Sequence, residues 1–207
     1  MAIGPHRLTN ASVDDSVVRQ MLTGSEVSIL YCDPPWGEGM AKYFKTLAER
    51  MTGTETRQIT CKEILENILD LAVKNVRGHV FIEYGCRWEA ELVGMCKACL
   101  FNVRVFRRAY HSGSRPLPQI LVYGGTSSEW RYPAEDPVES DNAVNEIISI
   151  MRPVAQSGAV VLDPCCGMGN TAKAAVALGM RFFGNEFNMA RLEKTAAFLR
   201  RHGNTEA

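Results

Sequence analysis

The stretch from residue 159 to residue 186 limits the fold more than any other part of this chain. Ala159-Val160-Val161-Leu162 reads as a buried strand and Asp163-Pro164-Cys165-Cys166-Gly167-Met168-Gly169-Asn170-Thr171 as a turn. Residues 171–178 read as a helix closed by Gly179, and Arg181-Phe182-Phe183-Gly184 as a second strand that runs towards Glu186. Two glycines two positions apart let the backbone turn tightly and let a ligand approach the main chain. The helix begins just after them, so its free N–H groups face the same space. Glu186 follows Gly167 by 19 residues. In nucleotide-binding α/β folds an acid at about that spacing bonds ribose hydroxyls.

The rest of the chain keeps the same rhythm. Strand patterns at 7–9, 27–31 and 79–84 alternate with helical patterns at 14–22, 60–73 and 88–100, which predicts an α/β sheet covered on both faces. Thr60 and Glu63 form a capping box ahead of an apolar stripe at helical spacing. Residues 102–110 and 119–123 alternate as two strands of a hairpin, and a helix over 144–151 is stopped by Pro153. A last helix runs from about 188 to 201. Residues 37–57, with Gly37, Gly39 and Gly53, read as a mobile loop. Residues 124–142, rich in glycine, serine and proline, read as a second loop.

A chain of 207 residues is long enough for one domain with a full core. No apolar run approaches the ~20 residues of a membrane span, and the first residues lack the features of a signal peptide, so a cytoplasmic protein with no membrane partner is expected. Cys96-Lys97-Ala98-Cys99 is the lone CxxC among seven cysteines; with no second pair, no metal site is expected and the thiols read as reduced and mostly buried. The formal net charge of +0 counts against extensive phosphate contacts. It leaves room for a local patch, and Arg104, Arg107, Arg108, His111 and Arg115 are the candidate nucleic-acid contacts, the other reading being a solvated strand edge.

A second motif, Asp33-Pro34-Pro35-Trp36, follows the apolar run Val27-Ser28-Ile29-Leu30-Tyr31. A strand ending in an acid, two prolines and an aromatic makes a rigid platform suited to a flat ring that bears an amine. Asp33 can accept one N–H of that amine and the Pro34 carbonyl the other, while Trp36 offers a face for stacking. The turn at 163–171 is neither a P-loop, since Asn170-Thr171 follows Gly169, nor a dinucleotide fingerprint, since position 172 is Ala172. An acid at its mouth suits a cationic ligand such as a sulfonium amino acid.

Together the two motifs resemble the amino-methyltransferases that use S-adenosylmethionine on exocyclic amines of bases. In that family a D/N/S-P-P-Y/F/W tetrapeptide is catalytic, and the cofactor loop often reads Asp-Pro-Phe-x-Gly-x-Gly-Thr; here Asn170 precedes Thr171. The tetrapeptide comes before the cofactor loop, which looks like the permuted beta class of DNA adenine and cytosine-N4 enzymes. The resemblance implies a Rossmann-like methyltransferase fold: a seven-stranded, mostly parallel sheet with a terminal antiparallel hairpin and helices on both faces. It implies one permuted domain over 1–207, with a catalytic half at 1–123, a loop at 124–142 and a cofactor half at 143–207.

By the same resemblance Asp33, Pro34, Pro35 and Trp36 are catalytic. Asp163, Pro164, Cys165, Gly167, Gly169, Asn170, Thr171, Glu186 and Asn188 hold the cofactor, with Asn10 and Asp33 at its edge. Family members often carry an acid where Asn10 or Ser12 stands. Asp33 as the first residue of the motif favours adenine N6, whereas cytosine-N4 enzymes more often have serine there. The expectation is therefore N6-adenine methylation of DNA. RNA adenine methylation, cytosine-N4 methylation and a silent binding subunit are the rivals. Residues 124–142 are too short for a folded recognition domain, which makes a homodimer a further expectation.

Overall fold

The computed structural model describes residues 1–53, 57–112 and 115–202. Among them the chain forms one sheet in the order β1 (Ala2–Ile3), β2 (His6–Thr9), β8 (Arg181–Asn185), β7 (Val160–Asp163), β3 (Val27–Cys32), β4 (Val76–Gly85), β6 (Arg115–Gly125) and β5 (Phe101–Ser112). The five strands from β2 to β4 are mutually parallel, and β6 and β5 add an antiparallel hairpin. The short β1, antiparallel to β2, makes the strand number eight where seven were expected.

Helices cover both faces because the central strands are apolar on both sides. In β3, Leu30 and Cys32 pack with α1 (Ser16–Met21), α3 (Cys61–Asn75) and α4 (Glu89–Cys99), while Ile29 and Tyr31 face α5 (Ala143–Met151), α6 (Asn170–Ala177) and α7 (Met189–His202). The capping box of α3 is formed in full: Glu63 N–H donates to the Thr60 hydroxyl and Thr60 N–H to the Glu63 carboxylate. Such a cap contributes about 1 kcal/mol.

Residues 37–57 are not the loop that their glycines suggest. Gly37–Thr52 forms a sixteen-residue helix, α2. Met40, Ala41, Phe44 and Leu47 recur at helical spacing, and Ala41 is buried. Lys45 and Glu49, one turn apart, pair at 2.6 Å. Gly53, at φ 68°, ends the helix in the left-handed region, where its missing side chain costs nothing.

The hairpin is also longer than its alternation shows. Gly124 and Gly125 belong to β6, paired with Val80 and His79. Pro116 and Pro118 are β6 residues too, paired only with β5, because β4 ends opposite Gln119. Proline is tolerated in this stretch because β6 there is an edge on the side that β4 has left. Gly113 and Ser114 lie outside the described residues. Residues 126–142 form the expected loop, strapped down by the Arg104 guanidinium, which donates to the carbonyls of Pro133 and Ala134 and pairs with Asp136 at 3.1 Å.

The consequence for function lies at the carboxyl ends of the parallel strands. From β7 the sheet grows one way into β8, and from β3 it grows the other way into β4. The β7/β3 boundary is therefore a switch point, where α/β sheets open a crevice for ligands. Asp163 ends β7 and Asp33 follows β3, so both motifs meet at that crevice.

Candidate active site

A cavity of about 710 Å³ opens at the switch point. This is within the range of pockets that take a cofactor or drug-sized molecule. Asp33, Pro34, Pro35 and Trp36 form one wall, and Pro164, Cys165, Asn185 and Glu186 another. Residues 11–15, after β2, make a third, and α2 closes the space with Met40, Ala41, Phe44 and Lys45. Two stretches more than a hundred residues apart thus line one space.

The Asp33 carboxylate opens into this cavity but has protein around it. Enclosure pushes its carboxyl up to about 6, with the Trp36 N–H and the Arg191 guanidinium holding it down. Trp36 Nε1–H donates to Asp33 Oδ1 at 2.9 Å, which orients the carboxylate and leaves Oδ2 for another donor. The Trp36 ring itself abuts Gly85, as does Trp88: a Cβ at Gly85 would lie 3.3 Å from one indole and 2.9 Å from the other. Two indoles and Leu117 therefore border the cavity beside Asp33.

The turn after β7 is held by its own acids. Asp163 is buried, and its Oδ1 accepts the Cys165 N–H at 3.0 Å while its side chain also bonds Thr171. Burial, reinforced by the charges of Asp33 and Glu186, pushes its carboxyl up to about 7. Glu186 Oε2 accepts the Gly167 N–H and Oε1 the Asn188 N–H, each at 2.8 Å. Burial raises the Glu186 carboxyl while these N–H groups and Arg191 oppose the rise. Two carboxylates that line the cavity, Asp33 and Glu186, and a third buried behind its wall, Asp163, are all raised by burial, which favours a cationic ligand.

Gly169 sits at φ 86°, and a Cβ there would meet Thr195 Oγ1 at 2.7 Å. Gly169→Ala is expected to cost about 1–3 kcal/mol, read as a lower urea midpoint. An unchanged midpoint would show that the turn tolerates a side chain.

Other residues singled out in the sequence hold the site from behind. Asn170 is exposed at the start of α6, and Thr171 is buried against Asp163. Asn188 Oδ1 accepts the Arg191 N–H and so supports the first turn of α7. Asn10 Nδ2 donates to the carbonyls of Glu186 and Phe187, bracing the cavity wall that Ala11 and Ser12 complete. Tyr31, Glu83 and Tyr84 are buried core groups.

The basic residues of the hairpin do not act as one patch. Arg108, a candidate nucleic-acid contact by sequence, is buried: its side chain is 2% exposed and pairs with Glu146 of α5 at 2.6 Å. It lies on the face that packs on α5, which the alternation alone does not reveal. Arg104 is spent on the 126–142 loop. Arg107 is exposed and engages both oxygens of Glu89. His111 and Arg115 are strand residues paired with Pro116 and Ser112. Residues that sequence reasoning missed are Arg191, Phe187, Trp88 and Phe44, each brought to the cavity by tertiary packing. Among the described residues no group of His, Cys, Asp and Glu could hold a metal ion, and no helix is long and apolar enough to cross a membrane.

The same architecture occurs in solved structures. M1.HpyAVI superposes with a TM-score of 0.65 at 14% identity, over 93% of this chain and 98% of that one. The cytosine-N4-specific PvuII DNA methyltransferase gives a TM-score of 0.62 at 10% identity, over 100% and 92%. The chain shares the fold of these two proteins. By sequence, "Putative methylase YubD" of Escherichia coli (strain K12) is 26% identical over 91% of each chain. No family model matches the chain. M1.HpyAVI has also been solved as a complex with SAM, with a TM-score of 0.64 at 13% identity, over 93% of this chain and 99% of that one.

Proposed function

We propose that this protein is an S-adenosylmethionine-dependent DNA methyltransferase acting on the exocyclic N6 of adenine. The observation that carries the reading is the shared cavity: Asp33–Trp36 and the 163–186 turn and acid face one another across it. The residues present fit the cofactor. The cavity has the right size, Glu186 stands at the ribose-binding position of such folds, and the acids suit a sulfonium and an ammonium group. When bound, S-adenosylmethionine supplies an already activated methyl group.

What remains for the protein is positioning. An adenine amine is a poor nucleophile because its lone pair is delocalised into the ring. Asp33 Oδ2 accepts one N–H and the Pro34 carbonyl the other, which favours a pyramidal nitrogen with its lone pair aimed at the methyl group. Pro35 fixes the direction of that carbonyl. Trp36 offers a stacking face worth about 1–3 kcal/mol. A base in a duplex has to leave the stack to enter this cavity. The aspartate at position 33 is the basis for choosing adenine over cytosine.

The test is incubation with methyl-labelled cofactor and separate DNA and RNA pools, followed by nucleoside analysis. N6-methyladenine from DNA is the expected product. N4-methylcytosine, or label in RNA alone, would overturn the assignment.

The Trp36–Asp33 bond gives a further expectation. A charged Asp33 is the competent form, so kcat/KM should rise with pH through a limb near 6. Trp36→Phe keeps an aromatic face but removes the N–H that stabilises the carboxylate, so this limb should move to higher pH. A limb that stays in place would show that the indole only stacks.

A further inference from the structure

Among the described residues three cations line the cavity: Lys45, Arg57 and Arg191. Lys45 pairs with Glu49 at 2.6 Å, and Arg57 pairs with Glu63. Arg191 has neither an ion pair nor a hydrogen bond from its guanidinium among the described residues. Its group lies over the Phe44 ring of α2, 4.9 Å from the centroid. On the other side it reaches the glycine turn: a Cβ at Gly167 would fall 2.8 Å from Arg191 Nη2. A strong fork-shaped donor is thus held inside the cavity, beside the bare main chain of the turn, with its donor capacity unused.

Resting on the function proposed above, we infer that Arg191 receives the α-carboxylate of the cofactor's amino-acid part and so positions the cofactor over the glycine turn. The charge pattern supports this choice. The cofactor carries two cationic groups and one anionic group in its methionine portion. Asp33 and Glu186 in the lining, with Asp163 buried behind Pro164 and Cys165, supply the negative charge for the cations. The one carboxylate needs a cation on the same side of the cavity, and Arg191 is the lining cation not already paired. Guanidinium binds carboxylate through two parallel N–H bonds, which fixes orientation as well as location. A phosphate of the nucleic acid is the poorer match, because the guanidinium sits between Gly167 and Phe44 and α2 lies over it.

The experiment is calorimetric titration of the full chain with S-adenosylmethionine and with its decarboxylated form, which keeps the sulfonium and the adenosine. The unaltered protein should prefer the carboxylate-bearing cofactor by about tenfold or more. Arg191→Met should erase the preference by weakening S-adenosylmethionine and leaving the decarboxylated form unchanged; Arg191→Lys should restore part of it. Equal binding of both ligands by the unaltered protein overturns the inference without any variant. So does a preference that survives Arg191→Met, or an equal gain for both ligands, which would make Arg191 a plug. Binding of neither ligand by the unaltered protein would instead sink the proposed function on which the inference rests.

Discussion

Asp33→Ala is expected to lower methyl transfer by about a thousandfold or more while the protein stays folded and still binds cofactor. The side chain opens into the cavity and, among the described residues, carries one hydrogen bond, from the partly exposed Trp36, so its loss leaves none of them buried without a partner. What disappears is the acceptor that would orient the amine, and with Asp33 gone the Pro34 carbonyl alone cannot fix both N–H directions. Asp33→Asn should be nearly as damaging, because an amide nitrogen turned to the base donates where acceptance is needed. The measurement is single-turnover methyl transfer beside calorimetric binding of the cofactor. Wild-type rates in Asp33→Ala would remove this residue from the reaction.

The second large effect falls on stability. Arg108→Ala is expected to cost about 3–5 kcal/mol because it takes the positive partner, at 2.6 Å, from the buried Glu146 carboxylate and opens a gap under the hairpin. For a domain of this size that is a fall of roughly 10 °C in Tm. The paired change Arg108→Met with Glu146→Leu should recover most of the loss, since apolar side chains of similar volume need no counter-charge. If Arg108 served to grip nucleic acid, the single change would weaken binding and leave Tm unaltered. Thermal melts of the two variants separate these outcomes.

Much of the fold could be read from local pattern. The strand–glycine turn–helix unit at 159–178 and the capping box at Thr60 are signals that neighbours in the sequence supply on their own. Where the reading failed, the deciding information was not local. Three glycines in 37–57 outweighed the Met40, Ala41, Phe44, Leu47 periodicity, although two of them serve the start and end of α2. Arg108 and Arg107 are adjacent in sequence and opposite in fate, because β5 turns one towards α5 and the other to solvent. The two walls of the cavity were legible as motifs. The third wall was legible only at Asn10 and Ser12, and the lid not at all, since Phe44, Trp88 and Arg191 gain meaning only when α2, the end of β4 and α7 converge.

The strapped loop at 126–142 is a natural socket for grafting. Its first post is Thr126, bonded to Gly78 through both backbone and hydroxyl. Its second is Asn142, whose side chain accepts the N–H groups of Val144 and Asn145 and starts α5. Between the Val138 N–H, held by Ser149, and Asn142 lie Glu139 and Asp141, both exposed. Extra chain inserted at that gap leaves Arg104, both posts and the cavity untouched, and closure entropy rises slowly with length. A reading module placed there could change which sequences reach the cavity without altering its chemistry.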